Sequence, residues 1–118
     1  MSDTGGAIGI HDERTDGALR AREDGRVVGE IVYFTLSEPA PALVPVHTEV
    51  PSAHAGRGIA GALARELYTI AAREGRAVVP LCPYVAKWAE RHPDEAPVPS
   101  AALVEAALAK AKADPSAW

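Results

Sequence analysis

"HAGRGIAGALA", residues 54–64, decides how this chain is read. It contains Gly56-x-Gly58-x-x-Gly61, the glycine spacing of a dinucleotide-binding fingerprint. Three readings compete: a loop for NAD, a loop for another phosphate-bearing ligand, and a glycine-rich turn into an ordinary helix. The NAD reading needs a strand running straight into the loop and an acidic residue about 20 positions later to hold the ribose. Here Pro51-Ser52-Ala53 intervenes, and "RAVVPL" at 76–81 carries neither Asp nor Glu. The Gly-Lys-Ser/Thr of a nucleoside-triphosphate loop is also absent. A loop for a different phosphate stays open, beside the ligand-free turn. Small residues let a backbone approach an anion closely. The first N–H groups of a helix lack internal partners and carry partial positive charge. Arg57 and the amides from Arg57 to Gly61 could therefore hold a pyrophosphate.

The flanks place this loop between a strand and a helix. From Gly58 to Glu74 the apolar residues Ile59, Leu63, Leu67, Ile70 and Ala71 fall on one helical stripe, and Gly75 stands where a terminating glycine belongs. Upstream, Leu43 to Val50 alternates. Val44, Val46, Thr48 and Val50 are expected on one face, with Leu43, Pro45, His47 and Glu49 on the other. That puts His47 and Glu49 roughly 7 Å apart on one side of a strand. Pro45 cannot donate to a ladder, so an edge, bulge or splayed strand is expected near it. Downstream, "AVVPL" at 77–81 reads as a buried strand.

Further out, Ala7 to His11 and Ala18 to Glu23 are strand candidates joined by a turn at "HDERTDG". Asp24-Gly25 is a tight hairpin signal, and the strand "RVVGEIVYFTL" after it is apolar at both parities, as if buried on both faces. After Pro83 a short helix places Val85, Trp88 and Ala89 at helical spacing. Past the linker "DEAPVPS", Ser100 can cap a last helix, 101–113, with Leu103, Val104, Ala107, Leu108 and Ala111 on one face.

Composition bounds the remaining options. The 118 residues fit one domain, are 47% hydrophobic, and carry a net charge of −4 with no basic run, which argues against nucleic acid as a partner. The single cysteine, Cys82, rules out an internal disulfide. No apolar run approaches the roughly 20 residues that span a bilayer, and the N-terminal stretch lacks the pattern of a secretory signal. A cytosolic protein is expected. A strand edge at 26–36 or the C-terminal helix could support a homodimer.

The segment from His47 to Glu95 resembles the small, single-domain members of the GNAT N-acetyltransferase superfamily, nearest the short YjdJ-like or NATD-like proteins. Three stretches carry the resemblance: His47-Thr48-Glu49-Val50, Arg57-Gly58-Ile59-Ala60, and Val79-Pro80-Leu81-Cys82-Pro83-Tyr84 followed by Arg91-His92-Pro93. It covers roughly residues 8–95, with the helix at 100–113 as an extension. It implies an α/β fold with a mixed, mostly antiparallel sheet. It further implies that strands 43–50 and 77–81 splay to admit the pantetheine arm of acetyl-CoA. The pyrophosphate would meet the backbone of Arg57, Gly58, Ile59, Ala60 and Gly61. The superfamily loop usually begins with Arg or Gln, where this chain has Ala55.

On this resemblance, the expected function is direct transfer of an acetyl group from acetyl-CoA to an amine on a small molecule or a protein side chain. Such transfer needs a base for the amine and a proton for the leaving thiolate. Glu49 is the candidate base, against the alternative of a solvated strand-end carboxylate. His47 could tune it or share the proton. Cys82 could protonate the thiolate, accept the acetyl group transiently, or simply be a small buried residue. Tyr84 could be an acid or a wall of the site and is expected as packing, Trp88 is expected as core, and Arg91 could contact a CoA phosphate but is expected as a solvated helix end. The rival function is a non-catalytic GNAT-fold module that binds CoA or a protein partner.

Overall fold

The computed structural model describes residues 8–113; residues 1–7, with Ala7 of the first strand candidate, and residues 114–118 lie outside the described residues. Five strands form one sheet in chain order: β1 (Ile8–Glu13), β2 (Ala18–Glu23), β3 (Arg26–Leu36), β4 (Ala42–Glu49) and β5 (Ala77–Val78). Each neighbouring pair is antiparallel except β4 and β5, which run parallel. Helix α1 (Ile59–Glu74) connects those two, and α2 (Pro83–Arg91) and α3 (Ala101–Ala113) follow. The sheet is therefore mixed and mostly antiparallel, as expected.

Local chemistry accounts for most of these elements. Asp24 (φ 53) and Gly25 (φ 80) both take positive φ, the geometry of a two-residue hairpin turn between twisted strands. The turn expected at "HDERTDG" is shorter than the sequence suggests: β1 runs on to Glu13, and a single 3-10 turn, Arg14–Asp16, reaches Gly17. The whole predicted stripe of α1 is buried. Ser100 caps α3, its Oγ accepting the Leu103 N–H at 3.2 Å.

The core has two parts. One lies between the sheet and α1 with α2, and includes Leu19, Ile31, Leu43, Leu63, Leu67, Val85 and Trp88. The smaller one lies under α3 and includes Leu36, Val44, Val79, Leu103 and Ala107. Only part of the second face is covered. Val32 and Phe34 of β3 are accordingly half-buried rather than enclosed, and Leu108 of α3, placed by its spacing on the packed face, is 49% exposed. The strand edge expected at 26–36 does not exist: β2 pairs with one side of β3 and β4 with the other, so the edges are β1 and β5.

The strand at 77–81 is also shorter than expected, for a reason in its neighbour. The Val79 N–H donates to Leu43 O (3.0 Å), and the Leu81 and Cys82 N–H groups donate to Pro45 O (3.1 and 2.9 Å). In a parallel pair the intervening rung would come from the N–H of residue 45, which proline lacks. The regular ladder is interrupted there, and beyond the two bonds to Pro45 O no backbone bond joins the two segments among the described residues.

Candidate active site

The second half of β4 is set by a bulge. In the register with β3, Tyr33 faces Pro45 and Val32 faces His47, leaving Val46 without a partner. One extra residue reverses the alternation. Leu43 before it and Val50 after it both pack on the α1 side, whereas Val44 and Val46 pack toward α3. The simple alternation read from sequence is thus broken at Val46. Thr48, grouped there with Val44 and Val46, turns instead toward the α1-side core.

His47 and Glu49 share the opposite, open face. Their side chains are 56% and 63% exposed, and His47 Nε2 lies 3.5 Å from Glu49 Oε1. Glu49 stands directly across from Glu30 of β3. Arg20 is committed to other carboxylates, donating from Nε to Glu30 Oε1 (3.0 Å) and from Nη1 to Glu13 Oε1 (2.7 Å). A cavity of about 380 Å3 opens here, with Arg20, Arg22, Gly29, Glu30, Glu49 and Pro51 in its lining.

Cys82 is placed differently. It is 3% exposed, belongs to the α1-side core, and precedes Pro83, the first residue of α2. Its Sγ lies 3.1 Å from Thr48 Oγ1. The structure thus brings His47 to Glu49 and Cys82 to Thr48, as two separate pairs on the two sides of β4. Sequence reasoning did not single out Thr48 as a partner for the thiol. Only the bulge at Val46, invisible without the register, turns its hydroxyl that way.

The glycine loop begins with a 3-10 turn, Ser52–His54, and an extended Ala55 (φ −64, ψ 150). Gly56 (φ 82) and Gly58 (φ 78) both take the left-handed conformation, and Gly58 caps α1 with no side-chain bond. A Cβ at either glycine would have no atom within 4 Å, so the loop borders open space. The first helical bond seen from this cap is Ala62 N–H to Gly58 O (3.1 Å). The amides of Gly58 to Gly61 precede it without a backbone partner among the described residues, as an anion-binding helix start requires. Ile59 buries its side chain in the core, and a Cβ on Gly61 would lie 3.5 Å from the Tyr84 hydroxyl. Arg57 donates from Nη2 to Glu23 Oε2 (2.7 Å) and from Nη1 to Glu23 Oε1 (3.1 Å). This pair holds the Glu23 carboxyl below the usual carboxylate range. Trp88 is core, stacked on Tyr68 and on His92. Tyr84 is 41% exposed.

A sequence profile of the GCN5-related N-acetyl-transferases matches residues 18–98, which spans β2 through α2. The chain belongs to this family. Among solved structures, this GCN5-related chain is similar to a ribosomal-protein-alanine N-acetyltransferase from Brucella melitensis biovar Abortus 2308, at 31% identity and a TM-score of 0.55. That match covers 70% of this chain and 62% of the other, so the present chain spans less than two thirds of its relative. No curated protein matches. The profile ends before α3, which is an addition at the C-terminal side of the matched region. No helix among the described residues is long and apolar enough to cross a membrane.

Proposed function

We propose that the chain is an acyl-CoA-dependent N-acetyltransferase that moves an acetyl group from acetyl-CoA directly to an amine. Family membership supports acyl transfer. The observation that carries the finer reading is the pairing of an open glycine loop with strands that part beyond Pro45. The loop has amides without a backbone partner and empty space at Gly56 and Gly58, which fits a pyrophosphate held by the backbone of Arg57, Gly58, Ile59, Ala60 and Gly61. The parted strands offer unpaired backbone groups to an amide-bearing arm.

In this reading Glu49 takes a proton from the ammonium form of the acceptor, and His47, 3.5 Å away, tunes or relays that proton. The amine lone pair then attacks the thioester carbonyl, the C–N bond forms and the C–S bond breaks. The second N–H proton of the adduct ends on the leaving thiolate, which gives the neutral amide and free CoA; Cys82 is the candidate to pass it on where the thioester sulfur lies on the α1 side of β4, away from Glu49. The acceptor is an amine on a small molecule or a protein; the name of the structural neighbour puts a protein alanine amine among the candidates. A cytosolic setting suits such a reaction.

A second reading, a non-catalytic CoA-binding or protein-interaction module, draws on Ala55, which gives the loop no polar side chain at its first position. Calorimetric titration with acetyl-CoA, with NAD as control, tests both. Saturable binding of acetyl-CoA alone, followed by turnover with an amine panel, is the expected result. Binding without turnover favours the second reading, and absence of binding overturns the first.

A further inference from the structure

The glycine loop has almost no packing of its own. Gly56 and Gly58 touch nothing where a side chain would stand, and Ala55 is exposed. Between its two left-handed glycines the loop carries one side chain able to reach the rest of the molecule, that of Arg57. It ends in a two-pronged pair with Glu23, the last residue of β2, 34 positions away in sequence. Arg57 Nη1 also lies 3.2 Å from His54 Nδ1, which ties the preceding 3-10 turn to the same point. Glu23 adjoins the Asp24-Gly25 hairpin, so the anchor belongs to the regular part of the sheet.

From this we infer that Glu23 is a positioning residue for the anion loop. It holds Arg57 as a strut, so that the loop offers backbone amides, and not the guanidinium, to its ligand. A planar guanidinium forked onto one carboxylate fixes both distance and direction, which a point charge does not. The same carboxylate cancels the arginine's charge, so Arg57 in this position adds little attraction for a phosphate. The inference rests on the CoA-loop reading above for its ligand, but the anchoring itself does not.

Glu23→Gln separates the possibilities by sign. It removes a negative charge next to the proposed anion site, so if Arg57 is a phosphate ligand restrained by Glu23, acetyl-CoA binds more tightly. If Glu23 positions the loop, acetyl-CoA binds about three- to tenfold more weakly despite the lost negative charge. Arg57→Lys, which keeps the charge and loses the fork, should weaken binding to a similar extent.

Amide hydrogen exchange in the ligand-free protein provides a readout independent of CoA. The loop amides that make bonds are those of His54, Ala55 and Ala62. They should exchange faster in Glu23→Gln, while the melting temperature changes little. Tighter or unchanged acetyl-CoA binding, or unchanged exchange at those three amides, overturns the inference. If the wild-type protein binds no acetyl-CoA, the functional reading falls, and the exchange experiment alone still decides whether Glu23 holds the loop.

Discussion

The Thr48 hydroxyl and the Cys82 thiol meet at 3.1 Å, where β4 and the segment after β5 part. This contact joins residues 34 positions apart, past the last backbone bonds between the two segments. Replacing Thr48 with valine leaves the buried thiol facing a methyl group, and should cost about 1 kcal/mol in urea unfolding. Cys82→Ser should keep the fold and lower turnover if the thiol serves the leaving group. Full turnover in that variant would make Cys82 a packing residue.

Glu49→Gln separates chemistry from binding. It removes the proposed base from an exposed strand end, 63% open to solvent. Turnover should fall by about 10²-fold with acetyl-CoA affinity nearly unchanged, measured by steady-state rates and calorimetry on one preparation.

Gly58 takes φ 78 at the cap of α1, a conformation that disfavours any residue with a side chain. Gly58→Glu would also place a carboxylate where the pyrophosphate is proposed to lie. Acetyl-CoA binding should be abolished, and unchanged affinity would sink the loop assignment. Gly58→Ala controls for the backbone, with an expected stability cost of about 1 kcal/mol.

Gly29 on β3 tests the packing beneath the same loop. A Cβ there would stand 2.7 Å from Ile59 Cγ2, 3.2 Å from Leu63 Cδ1 and 3.3 Å from Val50 Cγ2. Ile59 and Leu63 are buried, so the neighbours have little room to give. Gly29→Ala should destabilise the protein by about 1–3 kcal/mol, visible as a lower urea midpoint. A midpoint equal to that of the wild type would show that Ile59 moves freely.

Acid stability follows from the arginine–carboxylate pairs. Hydrogen bonds from Arg22 and Arg20 lower Glu13 from its ordinary 4.5 to about 2. Glu23, Glu74 and Glu95 are lowered by Arg57, Arg14 and Arg65 respectively. A depressed folded-state pKa stabilises the fold above the unfolded value and loses that contribution as pH falls through the folded one. The melting temperature should therefore drop between pH 4.5 and about 2, less steeply in Glu13→Gln. Added salt should shrink the difference, because these groups are near solvent.

What the sequence disclosed was local. The Asp24-Gly25 hairpin, the α1 stripe and the Ser100 cap each depend on residues within a few positions of one another. The nearness of His47 and Glu49 is of the same kind. The Thr48–Cys82 and Glu23–Arg57 contacts each span 34 positions and depend on strand register. The bulge at Val46 hid the first by reversing the side-chain alternation of β4. The supposed edge at 26–36 failed similarly, since pairing with both β2 and β4 is a property of the sheet and not of the strand.

Pro45 has a kinetic consequence for any ligand that enters beside β4. Its missing N–H is covalent, so the break in the backbone ladder between β4 and β5 is present before any ligand arrives. No part of the ligand's binding free energy goes into parting strands, and no strand-opening step precedes encounter. Association should therefore need no backbone bond between the two segments to break first, with differences in affinity among ligands expressed mainly in how slowly each one leaves.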